Sequence, residues 1–197
     1  MTQLTLKYSP RSEQIDMFLS EVPAKPEESW FRKNIAFILT PIWIGLLFLN
    51  GMGWLDQNYG DLLWWVLGTL QSIGFIMSLI VVVALGYTCH TVKTVIDGDK
   101  LFESVMGAQH KPLFDLNKYK LRVADVGKLG AAKLTMWRFL FMSLPYWALL
   151  MWNGWIGIAL MSMAALVLIH ITIWQYQGLT EIIFKQVDPA WNGEVNL

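Results

Sequence analysis

The sequence predicts an all-α integral membrane protein, a four-helix bundle with both termini cytoplasmic and a cytoplasmic helical loop between the second and third spans. Three observations carry this expectation. Residues 34–55, 62–92 and 139–180 contain no Asp, Glu, Lys or Arg. An apolar run of ~18 residues or more can cross a hydrocarbon core of ~30 Å as a helix, and the last run holds enough chain for two such helices around Asn153-Gly154. All 15 Lys and Arg lie within residues 7–33, within 93–138 or at Lys185, and Asp56 and Asp61 alone carry charge between the first two runs. Positive segments stay cytoplasmic, and an even number of spans puts every one of them on that side. Finally, Trp54, Trp64, Trp65, Trp152 and Trp155 gather at one expected face, with Trp30, Trp137 and Trp174 at the other. Indole rings favour that interfacial depth because an apolar ring and a polar N–H both find partners there.

Composition agrees. Hydrophobic residues make up 55% of the 197-residue chain and charged residues 15%, and the mean hydropathy is +0.42. The formal net charge is zero, which gives no case for a nucleic-acid partner. Cys89 is the single cysteine, so neither a disulfide framework nor a cysteine zinc site can form within one chain.

The elements follow in order. Residues 1–33 form a cytoplasmic segment with no cleavable signal peptide, leaving the first span to direct insertion. Within it Ser9 is expected to cap a short helix with Pro10 in its first turn, and Ile15, Phe18 and Leu19 share one face. That face suits packing on the cytoplasmic ends of the bundle and equally suits docking of a soluble partner. The spans are 34–54, 62–90, 136–152 and 155–175. The third is short, because Arg138 precedes its apolar core closely, and Pro145 is expected to kink it.

Residues 91–135 form a basic cytoplasmic loop. Asp97-Gly98-Asp99 reads as a turn after the second span, followed by short helices. Lys111, Lys118, Lys120, Arg122 and Lys128 form a basic platform for anionic lipid or a cytoplasmic protein. Asp97, Asp99 and Glu103 lack the spacing and ligand number of a calcium loop. Residues 176–197 are a cytoplasmic tail.

Inside the spans the polar groups are few. None of Asp, Glu, Lys or Arg lies near a span centre, which argues against proton pumps, ion-coupled carriers and voltage sensors. On the second span Gln71, Gly74 and Ser78 share a face, and Gly68 with Ser72 makes a second small-residue pair. Such faces let helices approach closely and bond across the contact. On the fourth, Ala159, Ser162 and His170 share a face. These eight residues are the candidate packing, oligomer or pore face.

His170 is open to three readings: a haem ligand, a proton-linked switch or a hydrogen-bonding core residue. The first needs a second histidine at equal depth. Counted from the span centres, His90 lies ~22 Å and His170 ~8 Å toward the cytoplasm, an offset too large for one iron within one chain.

No nucleophile–base pair, phosphate-binding glycine loop or metal cluster is legible. No catalytic, cofactor or metal residue is therefore assigned, and no cofactor is expected. The expected role is a non-enzymatic, oligomeric subunit of a bacterial inner membrane. It would anchor or scaffold a cytoplasmic protein in a secretion, conjugation, envelope or phage-defence machine, with lipid and further copies of itself as partners. A small channel lined by the second and fourth spans is the alternative, and an intramembrane haem carrier a minor one.

Overall fold

The computed structural model describes residues 7–9, 12–20, 30–107, 112–115 and 143–196, with side chains for 12–20, 38–107, 112–115 and 143–193. Along the chain lie β1 (Lys7–Ser9), α1 (Glu13–Ser20), α2 (Trp30–Gly51), α3 (Gln57–Met106), a helical segment at 143–152 (α4), α5 (Ile156–Val187) and β2 (Glu194–Asn196). Helix dominates. Among the described residues, the departure from an all-α fold is one antiparallel pair, β1 with β2, in register Lys7↔Asn196, Tyr8↔Val195 and Ser9↔Glu194.

That pairing explains where α1 begins. Ser9 is held in β1, so it does not cap the helix. Ser12 takes that position instead, its hydroxyl accepting from the Ile15 N–H at 3.5 Å, the N-cap geometry.

The ends of α2 and α4 are built alike. At the first, Gly53 N–H donates to the Asn50 carbonyl at 2.9 Å and Trp54 N–H to the Leu49 carbonyl at 3.0 Å. At the second, Gly154 N–H donates to Met151 at 3.0 Å and Trp155 N–H to Leu150 at 2.8 Å. These are Schellman pairs, which need a left-handed residue. Gly53 at φ 70° and Gly154 at φ 75° supply it.

α3 runs for 50 residues, about 75 Å at ~1.5 Å per residue. The expected turn at Asp97-Gly98-Asp99 does not occur. A glycine inside a helix costs only about 1 kcal/mol, and burial of Val92 and Ile96 holds this stretch helical. The stop comes at Gly107, at φ 58°. The Asp99 carboxylate then receives the returning chain, accepting from Leu113 N–H at 2.9 Å and Phe114 N–H at 2.8 Å.

Two described helices, α3 and α5, are long and apolar enough to cross a membrane. The apolar stretch of α2, Ile38–Gly51, is shorter, and α4 is described over 143–152 alone.

The chain divides into two compact units. One comprises residues 25–80 and 134–169. Its core joins Leu47 of α2, Leu63 and Leu67 of α3, Tyr146 and Leu150 of α4, and Ile158 and Ala159 of α5. The other comprises residues 1–24, 81–133 and 170–197. Its core joins Ile15 and Phe18 of α1, Leu85, Val92 and Ile96 of α3, Leu179, Ile183 and Phe184 of α5, and Trp191.

Candidate functional site

In the first unit a polar seam joins α2, α3, α4 and α5. The Asn50 amide donates to the Asn153 side-chain carbonyl at 2.7 Å. Asn153 in turn donates to the Leu149 carbonyl at 2.7 Å and the Leu47 carbonyl at 3.1 Å. Gln71 donates to the Tyr146 hydroxyl at 3.2 Å. The Trp147 indole N–H donates to Ser162 Oγ at 3.1 Å. The Asn153–Leu149 bond stays within one helix end; each of the others joins two helices at a place where an unpaired amide or indole in an apolar setting costs several kcal/mol.

The candidate packing face is divided by the structure. Gly68 faces Ile158, whose Cδ1 lies 3.6 Å from where a Cβ would sit. The Ser72 hydroxyl returns to the Gly68 carbonyl at 2.7 Å and lies 3.6 Å from Met161 Sδ. Ala159 is fully buried. With Gln71 and Ser162, these residues lie within helix contacts. Gly74 does not: a Cβ there would meet nothing within 4 Å. Ser78 bonds to its own helix, at the Gly74 carbonyl, 2.8 Å away. His170 is exposed.

Lys111, Lys118, Lys120, Arg122 and Lys128 lie outside the described residues. Among the described residues, no group of three or more His, Cys, Asp and Glu is placed to hold a metal ion.

Sequence reasoning did not assign Tyr146, Trp147, Asn50 or Asn153 to this seam. The two asparagines carried a usable signal, since each stands beside a Gly-Trp helix end. The partners of Gln71 and Ser162 had none.

Exposure along α3 reverses partway. Over an apolar 18-residue stretch only 6% is buried, and Ile73, Ile76, Met77, Leu79, Ile80, Val81 and Val83 are all exposed. Between Tyr87 and Lys100 the order inverts, and beyond it Leu101, Phe102, Val105 and Met106 are exposed again. Val92 and Ile96 are buried, while Thr91, Lys93, Thr94 and Asp97 are exposed. α5 repeats this, with Leu160, Val167 and Ile169 exposed before Trp174, and Leu179, Ile183 and Phe184 buried with Lys185 exposed after it.

Exposed aromatic rings bracket the apolar length of α3, and one marks the end of that of α5. On α3, Trp65 is 65% and Tyr87 72% exposed, about 33 Å apart along the axis. On α5, Trp174 is 73% exposed, about 27 Å from the start of the helix.

In the second unit α3 and α5 meet at Gly86, where a Cβ would lie 3.0 Å from Gln175 Nε2. Cys89 Sγ lies 3.5 Å from the Gln175 backbone carbonyl. The Gln175 side-chain carbonyl is buried and has no donor among the described residues. Alongside, the Ser12 hydroxyl donates to the Asp188 carboxylate, and Phe184 and Trp191 pack edge-on at 5.5 Å.

No family model, curated protein or solved structure matches this chain.

Proposed function

We propose that this chain is a four-span subunit of a bacterial inner membrane, with both termini cytoplasmic. It is non-enzymatic, assembles with further copies of itself and anchors a cytoplasmic protein in a larger machine. The observation that carries this reading is the reversal of exposure along α3. A helix in water hides its apolar side chains, and a helix core in a soluble protein is mostly buried. The first part of α3 does neither. Lipid is the medium that accepts a bare apolar surface of this length, and the spacing of its aromatic rings matches a hydrocarbon core of ~30 Å.

The same side for both termini is supported by the β1–β2 pairing and the Ser12–Asp188 bond. The distribution of Lys and Arg supports it independently. An even number of crossings satisfies both. The seam through α2, α3, α4 and α5 supports four helices as the membrane unit.

It also favours a scaffold over a pore. Gln71 is engaged with Tyr146, and the hydroxyls of Ser72 and Ser78 bond to their own helix carbonyls. The expected basic platform and the water-side lengths of α3 and α5 make the inner face the place for a partner.

The test is mass spectrometry of protein extracted in mild detergent from its own membrane. The expected result is more than one copy together with a stoichiometric soluble protein. A lone monomer without bound protein would contradict the assignment.

A further inference from the structure

α3 keeps a bare apolar face after its apolar length ends. Leu101 is 66% and Val105 77% exposed. They lie about 21 and 27 Å past Tyr87 along the axis. The headgroup layer outside a hydrocarbon core is only ~5–8 Å thick, so lipid does not cover them. An apolar face bare to water marks an interaction surface.

The spacing defines the kind of surface. Tyr87, Thr91, Thr94, Gly98, Leu101 and Val105 recur at alternating steps of four and three, the repeat of a coiled-coil seam. The Thr91 hydroxyl donates to the Tyr87 carbonyl and that of Thr94 to the His90 carbonyl, each at 2.9 Å. Both threonines spend their polar group on their own helix and offer a methyl. Gly98 leaves room for close approach, with nothing within 4 Å of a Cβ there. The charged residues of this stretch, Lys93, Asp97, Asp99, Lys100 and Glu103, all fall off the seam. Leu85, Val92 and Ile96 pack into the core of their own unit, and helical geometry puts them on the opposite face. Counted back by the same steps, the seam continues from Ala84 to Val66, with every position in that length exposed. It holds 12 positions from Val66 to Val105, none of them charged.

We propose that this seam pairs with the same seam of a second copy, the two α3 helices running parallel about a two-fold axis. Two features select a copy over an unrelated helix. The first is zoning by depth. The seam is aliphatic from Val66 to Ala84, hydroxyl-bearing from Tyr87 to Thr94, and aliphatic again at Leu101 and Val105. Copies inserted in one membrane share direction and depth, so each zone meets its like across the axis. The second is area. A half-exposed aliphatic side chain offers on the order of 50 Å². The 12 positions on each of two helices therefore cover about 1,000 Å², the size at which a specific interface becomes stable. This pairing deepens the oligomeric reading above and rests on it. It names the surface by which copies meet and carries that contact beyond the membrane to the inner face.

The test is disulfide cross-linking of the full chain in its own membrane. Single cysteines are placed on the seam (Thr94→Cys, Leu101→Cys, Val105→Cys) or off it (Lys93→Cys, Lys100→Cys, Glu103→Cys) in a Cys89→Ser background. All six positions are exposed, so oxidant reaches both sets. The seam positions are expected to give at least fivefold more covalent dimer than the others. Equal yields in the two sets, or no dimer on the seam, would overturn the pairing. A cross-link to a different polypeptide would assign the face to another protein and overturn the second copy.

Leu101→Glu with Val105→Glu adds an arm without cysteines. Both side chains are exposed, so helical content should stay unchanged while native mass spectrometry shows half the copy number. An unchanged copy number would contradict the pairing. Loss of helical content would contradict the bare face. The scaffold reading fails separately: seam cross-links without a copurifying soluble protein would leave the pairing standing and remove the anchor role. Several copies without seam cross-links would do the reverse.

Discussion

Asn50 donates its amide to the side chain of Asn153 at 2.7 Å, and so ties the C-terminal end of α2 to that of α4. The two residues are far apart in sequence, yet both belong to a helix end closed by a Gly-Trp pair. Asn153 spends its own amide on two backbone carbonyls. A net side-chain hydrogen bond of this kind is worth roughly 0.5–1.5 kcal/mol. Asn153→Ala should therefore lower detergent stability by about 2 kcal/mol, since it removes three bonds at once. A double-mutant cycle with Asn50→Ala should give a coupling of about 0.5–2 kcal/mol. Strict additivity would mean that the bond does not form.

Gly60 is constrained by the same pair. A Cβ there would sit 2.6 Å from Asn50 Oδ1, and Asn50 cannot turn aside without losing Asn153. Gly60→Ala is expected to destabilise by about 1–3 kcal/mol. In an Asn50→Ala background that penalty should disappear. A penalty that persists would locate the constraint in the backbone of α3.

Gly74 makes the opposite prediction. Nothing lies within 4 Å of its missing Cβ, so Gly74→Ile should leave monomer stability within about 0.5 kcal/mol of the parent. If α3 meets another copy along Gly74 and Ser78, the same substitution shifts oligomer size in native mass spectrometry. A large loss of monomer stability would put Gly74 in a contact within the chain.

Gln175 lies at the contact of α3 with α5. Its side-chain carbonyl is buried with no donor among the described residues, and such a group costs about 1–3 kcal/mol. Gln175→Met keeps the length and removes the carbonyl. It should raise thermal stability by about 1 kcal/mol. A clear loss would point to a partner, such as an ordered water, that the carbonyl depends on.

Much of this fold was legible in the sequence. Charge-free runs bounded by tryptophans locate the apolar parts of α3 and α5, because length and the absence of charge are properties the sequence carries directly. The unbroken course of α3 through Asp97-Gly98-Asp99 was not. A glycine between two acids is a strong local turn signal, and what overrides it is burial of Val92 and Ile96. The cap at Ser12 was hidden for a similar reason, as strand pairing with the distant C-terminus removes Ser9 from contention.

Of the candidate face, Gln71, Gly68 and Ser162 do lie in helix contacts, but their partners Tyr146, Ile158 and Trp147 follow from packing that no local pattern encodes. Gly74 has the same spacing and faces away. Periodicity identifies a face without saying what lies opposite.

The central claim is that the apolar, exposed length of α3 lies in lipid and that residues 91–97 of the same helix, which expose polar side chains, lie in water. Single cysteines in a Cys89→Ser background test it most directly. Ile76, Met77 and Ile80 are exposed in the fold, as are Thr91, Thr94 and Asp97, so burial within the protein does not separate the two sets. Treated with a membrane-impermeant maleimide from the cytoplasmic face of inverted vesicles, the first three should stay unlabelled and the second three should react. Labelling at Ile76, Met77 and Ile80 to the extent seen at Thr94 would contradict the account.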